Sequence, residues 1–368
     1  MDHKARQQRL QKTLSTHHLD ALLVTHLPNV RYLCGFTGSA GALLVSGTKS
    51  VFFTDGRYTD QARAEVQAAR IVITRKGPMA GAADWLSVQQ KGDRRASSSQ
   101  PKIGIEGEHM TVSARSRLAK LLPSGVRLWE APPLVEQARL VKDEQEIQCI
   151  RSAVLLGASL FDRALETIRP GVLETLVAAE MEYAARSAGA QAMSFDTIIA
   201  SGKRSALPHG RSSRTAIPAQ GFVVCDFGVI LSGYCSDMTR TVYVGRASAE
   251  ARKVYQAVKQ AQQAGVDAVR PGISVGEVDK AARKSLQKSG LAKYFTHSTG
   301  HGVGLEIHEA PRLAAGQAEI LRPGMVITIE PGVYVPAKWG VRIEDMVVVT
   351  EQGCEVLTPT SKELVEIS

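Results

Sequence analysis

Cysteine is scarce in this 368-residue chain. Cys34, Cys149, Cys225, Cys235 and Cys354 are odd in number and contain no C-x-x-C pair, which excludes a disulfide framework and a thiolate zinc knot. No apolar run approaches the roughly eighteen residues that would span a bilayer. The opening MDHKARQQRLQKTL is polar and charged without a continuous apolar stretch, so no membrane association and a cytoplasmic location are expected. Acidic excess is also missing. The net charge is +9, and residues 1–140 hold 20 Lys+Arg against 11 Asp+Glu, leaving 25 against 25 for the rest. Those basic residues are scattered among few aromatics and form no nucleic-acid motif, so no nucleic-acid partner is expected. Familiar hydrolase signatures are absent too. His308 and Glu309 are followed by Ala310, Pro311 and Arg312 rather than completing H-E-x-x-H, and Thr37 stands where G-x-S-x-G around Ser39 would need its first glycine. Gly300, Gly302 and Gly304 match neither a dinucleotide fingerprint nor a P-loop; they are expected to let backbone pass close to a bound group.

What is present suffices for two domains with ordinary cores, at 44% apolar residues. Between residues 19 and 130 the β-rich runs LDALLVT, GALLV, SVFFT, RIVIT, KIGIE and VRLWE alternate with the helix-like DQARAEVQAAR and VSARSRLAKLL. That alternation predicts an α/β domain. The polar, Ser-rich segment 89–101 reads as a surface loop within it. Pro132 and Pro133 interrupt regular structure, and from about Lys142 a helical pattern begins with Ile147, Ile150, Val154 and Leu155 on one face. The expected domains are therefore 1–135 and 136–368.

The second domain repeats itself. RPGVLETLVAAEMEYAARSAG from Arg169 and RPGISVGEVDKAARKSLQKSG from Arg270 stand 101 residues apart, each opening at Pro-Gly, running as a helix and stopping at glycine. Each copy is followed by a histidine segment, with His209 in SALPHG and His308 in LEIHEAP, and then by two acids in strand-like surroundings. These are Asp226 and Asp237 in the first half and Glu330 and Glu344 in the second. If the halves pack about a pseudo-twofold axis, both acid pairs converge on it.

Four acids among apolar strand residues are costly to bury unless cations replace their lost hydration. With His297, His301 and His308 between the second pair and the first, the pattern predicts a metal site. Carboxylates with imidazole suit manganese, cobalt, zinc or iron, and four acids exceed what one ion normally takes, so two divalent ions are expected. Ions about 3.5 to 4 Å apart would share a water acidified to hydroxide, the expected nucleophile.

The strings DFG, SDMTRT, GHGVGLEIHE, TIEPGVY and VRIED, in this order and spacing, resemble the pita-bread metallopeptidases: methionine aminopeptidase, aminopeptidase P, prolidase and the non-metal creatinases. The resemblance covers nearly the whole chain. It implies an α/β (α+β) fold, with a creatinase-like N-terminal domain before a pseudo-twofold pita-bread catalytic domain. It further implies that Asp226 holds one metal, His301 and Glu330 the other, and that Asp237 and Glu344 bridge, with manganese first among the candidate metals. By the same resemblance His209, His297 and His308 contact substrate and stabilise the intermediate, and Glu330 doubles as proton shuttle. Arg342 would orient the bridging acids with support from Thr239 and Thr241, and Phe195 and Ile307 would line a prolyl pocket beside His209 and His308. A homodimer is implied as well.

The expected activity is that of an Xaa-Pro aminopeptidase, cleaving before a proline in second position through a bridging hydroxide. The alternative is an Xaa-Pro dipeptidase (prolidase). A subgroup of similar dipeptidases carries an arginine fourteen residues before the Glu330 position, where this chain has Gly316, which leans toward the aminopeptidase. A non-proline aminopeptidase and a non-catalytic binding protein of the same fold are the remaining readings.

Overall fold

The computed structural model describes residues 1–92 and 101–368 and divides into two compact units, Met1–Arg139 and Leu140–Ser368. In the first unit six strands form one sheet in the order Arg70–Thr74, Ser50–Asp55, Ala42–Ser46, Ala21–Val24, Lys102–Glu106, Arg127–Ala131. Ala21–Val24 pairs antiparallel with Ala42–Ser46, which pairs antiparallel with Ser50–Asp55. Crossovers through the helices Thr59–Glu65 and Val112–Leu121 make the outer pairs parallel, as such connections require. ALLV at 21–24 is buried along its whole length, which explains a continuous apolar run where a half-exposed strand would alternate.

Three local expectations are corrected. The helix expected over DQARAEVQAAR ends at Glu65: β-branched Val66 takes extended backbone, and the Gln67 N–H donates to the Cys34 carbonyl instead of continuing the helix. The segment 89–101 does not begin as a loop, because the helix Pro78–Gly92 runs into it through good helix formers; residues 93–100 lie outside the described residues. The first unit also runs past residue 135, the expected boundary, to Arg139. It forms one more helix, Leu134–Arg139, that is pinned to the unit by Arg139 donating to Asn29 Oδ1 at 2.6 Å and by the Tyr32 hydroxyl donating to the Ala138 carbonyl at 3.1 Å.

The second unit opens with the helix Glu144–Thr167, started by an Asp143/Glu146 capping box. Its buried stripe runs through Ile150, Val154, Gly157, Leu160, Phe161 and Ala164. Leu155, expected on that face, is 54% exposed because it sits about 100° around the helix from Val154.

The sequence repeat is a structural repeat. Helices Glu174–Ser187 and Val275–Lys288 each follow a glycine in the left-handed region, Gly171 and Gly272, and end before another, Gly189 and Gly290. Gly171 donates its N–H to the Ile217 carbonyl, and Gly272 makes the corresponding bond to Leu321. Each half then builds an antiparallel meander: Ile198–Ser201, Gly221–Phe227, Met238–Val244 in one, and Gly300–Gly302, Val326–Ile329, Asp345–Val349 in the other. The first is extended by Glu366–Ile367, the second by Glu309–Leu313 and Cys354–Val356. A long helix precedes each half, Glu144–Thr167 and Ala249–Ala268.

Candidate metal centre

The acids come together because each lies at the same end of its meander. Asp226 is one residue from the end of its strand, opposite Thr239, and Asp237 immediately precedes the partner strand. In the other half the ladder closes at Ile329 opposite Asp345, leaving Glu330 and Glu344 just beyond it. The Glu344 N–H donates to the Thr239 carbonyl at 3.1 Å, which joins the two halves at the acids. His301 enters from Gly300–Gly302. A Cβ on Gly300 would lie 1.9 Å from the Thr328 carbonyl oxygen and one on Gly302 2.1 Å from that of Ala310. These glycines serve close strand approach around His301, a different use from the one expected.

Asp237, His301 and Glu344 each offer a donor atom within 4.8 Å of the others. His301 Nε2 lies 3.6 Å from Asp237 Oδ2 and 3.5 Å from Glu330 Oε1. Its Nδ1 donates to the Gly302 carbonyl at 3.0 Å, so the Nε2 lone pair faces the carboxylates. Burial holds the His301 ring at about 4, keeping it neutral at neutral pH.

The acids lack adequate protein cations. Burial, reinforced by Glu344, Asp226 and Glu330, raises the Asp237 carboxyl well above its usual range, and Glu344 is raised by burial with Glu330 and Asp226. Glu330 is pushed up to about 8, mainly by burial. Asp226 Oδ1 and Glu344 Oε1 are buried with no hydrogen-bond partner. Orphaned acceptors, an imidazole lone pair and crowded carboxyls form a donor set that fits divalent cations at ordinary ligand lengths of about 2.0–2.2 Å. The residues fit the group they would hold.

Arg342 is the guanidinium at the cluster. It donates to Asp226 Oδ2 at 2.5 Å, to Thr239 Oγ1 at 3.1 Å, and to the Tyr334 hydroxyl at 2.6 Å and Pro208 carbonyl at 3.0 Å. It therefore orients Asp226 directly, and reaches Glu344 only through Thr239, whose hydroxyl donates to Glu344 Oε2 at 2.7 Å. Arg342, expected to orient the bridging acids, thus reaches one of them, Glu344, through a threonine. Thr241 bonds the Arg342 backbone in both directions.

Tyr334 was missed. It lies on the same face of its strand as Gly332, the residue opposite Arg342, and the bare Gly332 leaves room for its hydroxyl. The alternation Glu330, Gly332, Tyr334 was the available signal. The Tyr334 hydroxyl meets His297 Nε2 at 3.0 Å, and His297 Nδ1 donates to the Ser298 carbonyl at 2.8 Å. Both ring nitrogens of His297 are thus taken within the protein, and burial with nearby Arg342 holds the ring at about 4. His297 lines the site without a free donor for a substrate, contrary to its expected contact.

A cavity of about 710 Å³ stands over the cluster, its wall including Phe195, His209, His297 and His308 beside the four acids and the imidazole just described. His308 and His209 are exposed, Phe195 is half-buried, and the His308 ring stands edge-on to His301 at 4.5 Å. Burial, then the neighbouring His209, lowers the His308 pKa. Ile307 is not on the wall: it packs against the cluster of Ile150, Val154, Tyr234 and Val303, because its neighbour His308 takes the cavity side of the chain. Arg211, Arg312 and Asp196 also line the cavity. Arg211 pairs with Asp196 at 3.3 Å, whereas Arg312 makes no ion pair among the described residues.

Known proteins share this architecture. Residues 148–351 match metallopeptidase family M24, and residues 6–141 match the creatinase/prolidase N-terminal domain. The Xaa-Pro dipeptidase of Pyrococcus horikoshii is 35% identical over 96% of this chain and 96% of its own length. The structure of an Xaa-Pro dipeptidase from Bacillus anthracis superposes with a TM-score of 0.93 at 39% identity, covering 99% of both chains. An X-Pro aminopeptidase structure from Thermotoga maritima reaches 0.87 at 33% identity, covering 95% of this chain and 98% of that one.

Proposed function

Because the chain belongs to metallopeptidase family M24, and is therefore a metal-dependent peptidase, we propose that it is an Xaa-Pro dipeptidase that hydrolyses the bond between an N-terminal residue and a C-terminal proline. Support for the dipeptidase over the aminopeptidase comes from relatives matched along their full length that carry that activity in their names. The lean drawn from Gly316 is outweighed, since Arg312 supplies a cavity guanidinium that makes no ion pair among the described residues and suits a dipeptide's terminal carboxylate. The single observation behind the chemistry is the convergence of donors from both repeats beneath one cavity.

In this reading Asp226 would hold one divalent cation, His301 and Glu330 a second, with Asp237 and Glu344 shared and manganese the first candidate. Bound there, the cations would supply Lewis acidity to the scissile carbonyl and to a water. Glu330 takes a proton from the attacking water at its carboxylate and delivers it to the leaving prolyl nitrogen. His308, exposed on the wall, donates toward the developing oxyanion, with His209 beside it. Arg342 and Thr239 keep Asp226 and Glu344 aimed. His297 acts through Tyr334 rather than on substrate. Phe195 offers its ring to the pyrrolidine, whose nitrogen carries no N–H in the peptide and asks for no acceptor. Ile307 is withdrawn from the pocket.

Location in the cytoplasm and a homodimer belong to the same proposal. None of the five cysteines is disulfide-bonded, and no helix of the described residues is long and apolar enough to cross a membrane. Comparing Ala-Pro, Ala-Pro-Gly and Ala-Ala-Gly with added manganese tests the substrate class. Ala-Pro is expected to turn over fastest, and Arg312→Ala to raise its KM about tenfold or more with little change in kcat. Preference for Ala-Pro-Gly would return the reading to an aminopeptidase. Sedimentation velocity tests the dimer.

A further inference from the structure

Outside the metal cluster the second unit buries another carboxylate that the chemistry above does not use. Glu174, at the first turn of Glu174–Ser187, is fully buried and is not on the cavity wall. Its Oε1 accepts from the Ser201 N–H at 2.8 Å and the Ser201 hydroxyl at 2.9 Å. Its Oε2 accepts from the Ser213 hydroxyl at 2.7 Å, the Ser213 N–H at 3.1 Å and Arg204 Nε at 3.0 Å. Arg204 in turn donates to the Arg211 carbonyl at 2.6 Å. One carboxylate therefore closes both ends of the segment 201–213. The middle of that segment carries two working groups: the Pro208 carbonyl, which accepts from Arg342 at 3.0 Å, and His209 on the cavity wall.

The other half of the unit uses a buried acid in the same way. Asp279, one helical turn beyond the repeat-equivalent position Val275, accepts from the Thr299 hydroxyl at 2.8 Å and Arg283 Nε at 2.7 Å. Arg283 reaches on to the carbonyls of Phe295 at 3.0 Å and His297 at 2.5 Å. In each half a buried acid on the repeated helix holds the segment that bears a cavity histidine.

We propose that Glu174 is a positioning residue for the proposed reaction, acting through His209 by stapling both ends of its loop. The proposal rests on the dipeptidase reading for its kinetic part only. A charged acceptor taking donors from two distant residues and an arginine fixes a loop more firmly than neutral bonds do, and misplacing a contacting side chain by about 1 Å can cost roughly hundredfold in rate.

The test uses the full chain with manganese added, comparing Glu174→Gln, His209→Ala and the double variant. Glu174→Gln preserves shape but turns one acceptor oxygen into an NH2 that cannot accept, so the donors at one end of the segment, from Ser201 or from Ser213 and Arg204, lose their partner. Expected are a tenfold to hundredfold loss of kcat/KM on Ala-Pro, unchanged metal stoichiometry, and a double variant within about twofold of His209→Ala alone. Hydrogen exchange followed by mass spectrometry should quicken over 201–213 and stay unchanged over the helix Glu144–Thr167. Ser213→Ala, which removes one donor from the loop side, should give the same local change at smaller size and serves if Glu174→Gln does not fold. Losses that multiply in the double variant, or unaltered exchange over 201–213 in both Glu174→Gln and Ser213→Ala, would overturn the proposal. A wild-type chain that leaves Ala-Pro intact would instead sink the dipeptidase reading, and the exchange measurement would still decide whether Glu174 staples the loop.

Discussion

Thr239 shows how a small side chain governs the site. Its hydroxyl donates to Glu344 Oε2 and accepts from Arg342 Nε, so one oxygen links the acid proposed as shared to the guanidinium that holds Asp226. Thr239→Val keeps the shape and removes both bonds. Metal affinity is expected to fall about 10- to 100-fold, as isothermal titration of manganese into metal-free protein would show; an unchanged affinity would mean that Glu344 needs no such support. At this scale the four acids were legible because ionisable residues in apolar strands demand a partner, and His301 was singled out from its neighbouring histidines by the resemblance of its motif. Tyr334 and Ile307 were not. A tyrosine in a strand reads as ordinary core, and which of two adjacent residues, Ile307 or His308, faces the cavity depends on local chain direction that a motif does not encode.

At the scale of elements, the approach of Gly300–Gly302 to its neighbours sets where His301 stands. Gly300→Ala would drive a Cβ into the Thr328 carbonyl, a backbone atom that cannot swing aside. A loss of about 3 kcal/mol in stability is expected. Gly353→Ala, where an added Cβ meets nothing within 4 Å, should stay within about 0.5 kcal/mol. Urea denaturation of the two variants checks the contrast, and equal midpoints would contradict it. The repeated helices were legible from their Pro-Gly starts and glycine stops, whose positive φ values are those of chain reversals. The ends of other helices were not. Nothing in DQARAEVQAAR announces that Gln67 finds the Cys34 carbonyl, and composition alone marked 89–92 as loop although the helix Pro78–Gly92 continues there.

For the whole molecule, the carboxyl cluster couples stability to pH and to metal. A folded carboxyl pKa raised above its unfolded value weakens the fold as pH climbs from that value to the folded one. For Glu330 this runs from 4.5 to about 8, with Asp237 and Glu344 shifted the same way. His297 and His301, lowered from 6.5 to about 4, act oppositely between those values, because there the unfolded chain takes up protons the folded chain refuses. Above pH 6.5 the carboxyls of the site act alone. Metal-free protein should therefore lose thermal stability between pH 6.5 and 8, and manganese should raise Tm more at pH 8 than at 6.5. Differential scanning calorimetry at the two pH values decides; a larger metal effect at the lower pH would contradict the electrostatics. Two-domain order was legible at this scale from the strand–helix alternation and the break at Pro132–Pro133, and the duplicated catalytic unit from the 101-residue repeat. The proposed turn from aminopeptidase to dipeptidase was not, because in that reading substrate length would be read by exposed residues such as Arg312 whose partners lie outside the chain.

The most direct test titrates manganese into metal-free protein while Ala-Pro hydrolysis is followed. Activity is expected to climb to a plateau at two equivalents, and Asp237→Ala to remove both the binding and the turnover. No hydrolysis at saturating manganese, or the same plateau in Asp237→Ala, would contradict a metal centre built from Asp226, Asp237, His301, Glu330 and Glu344.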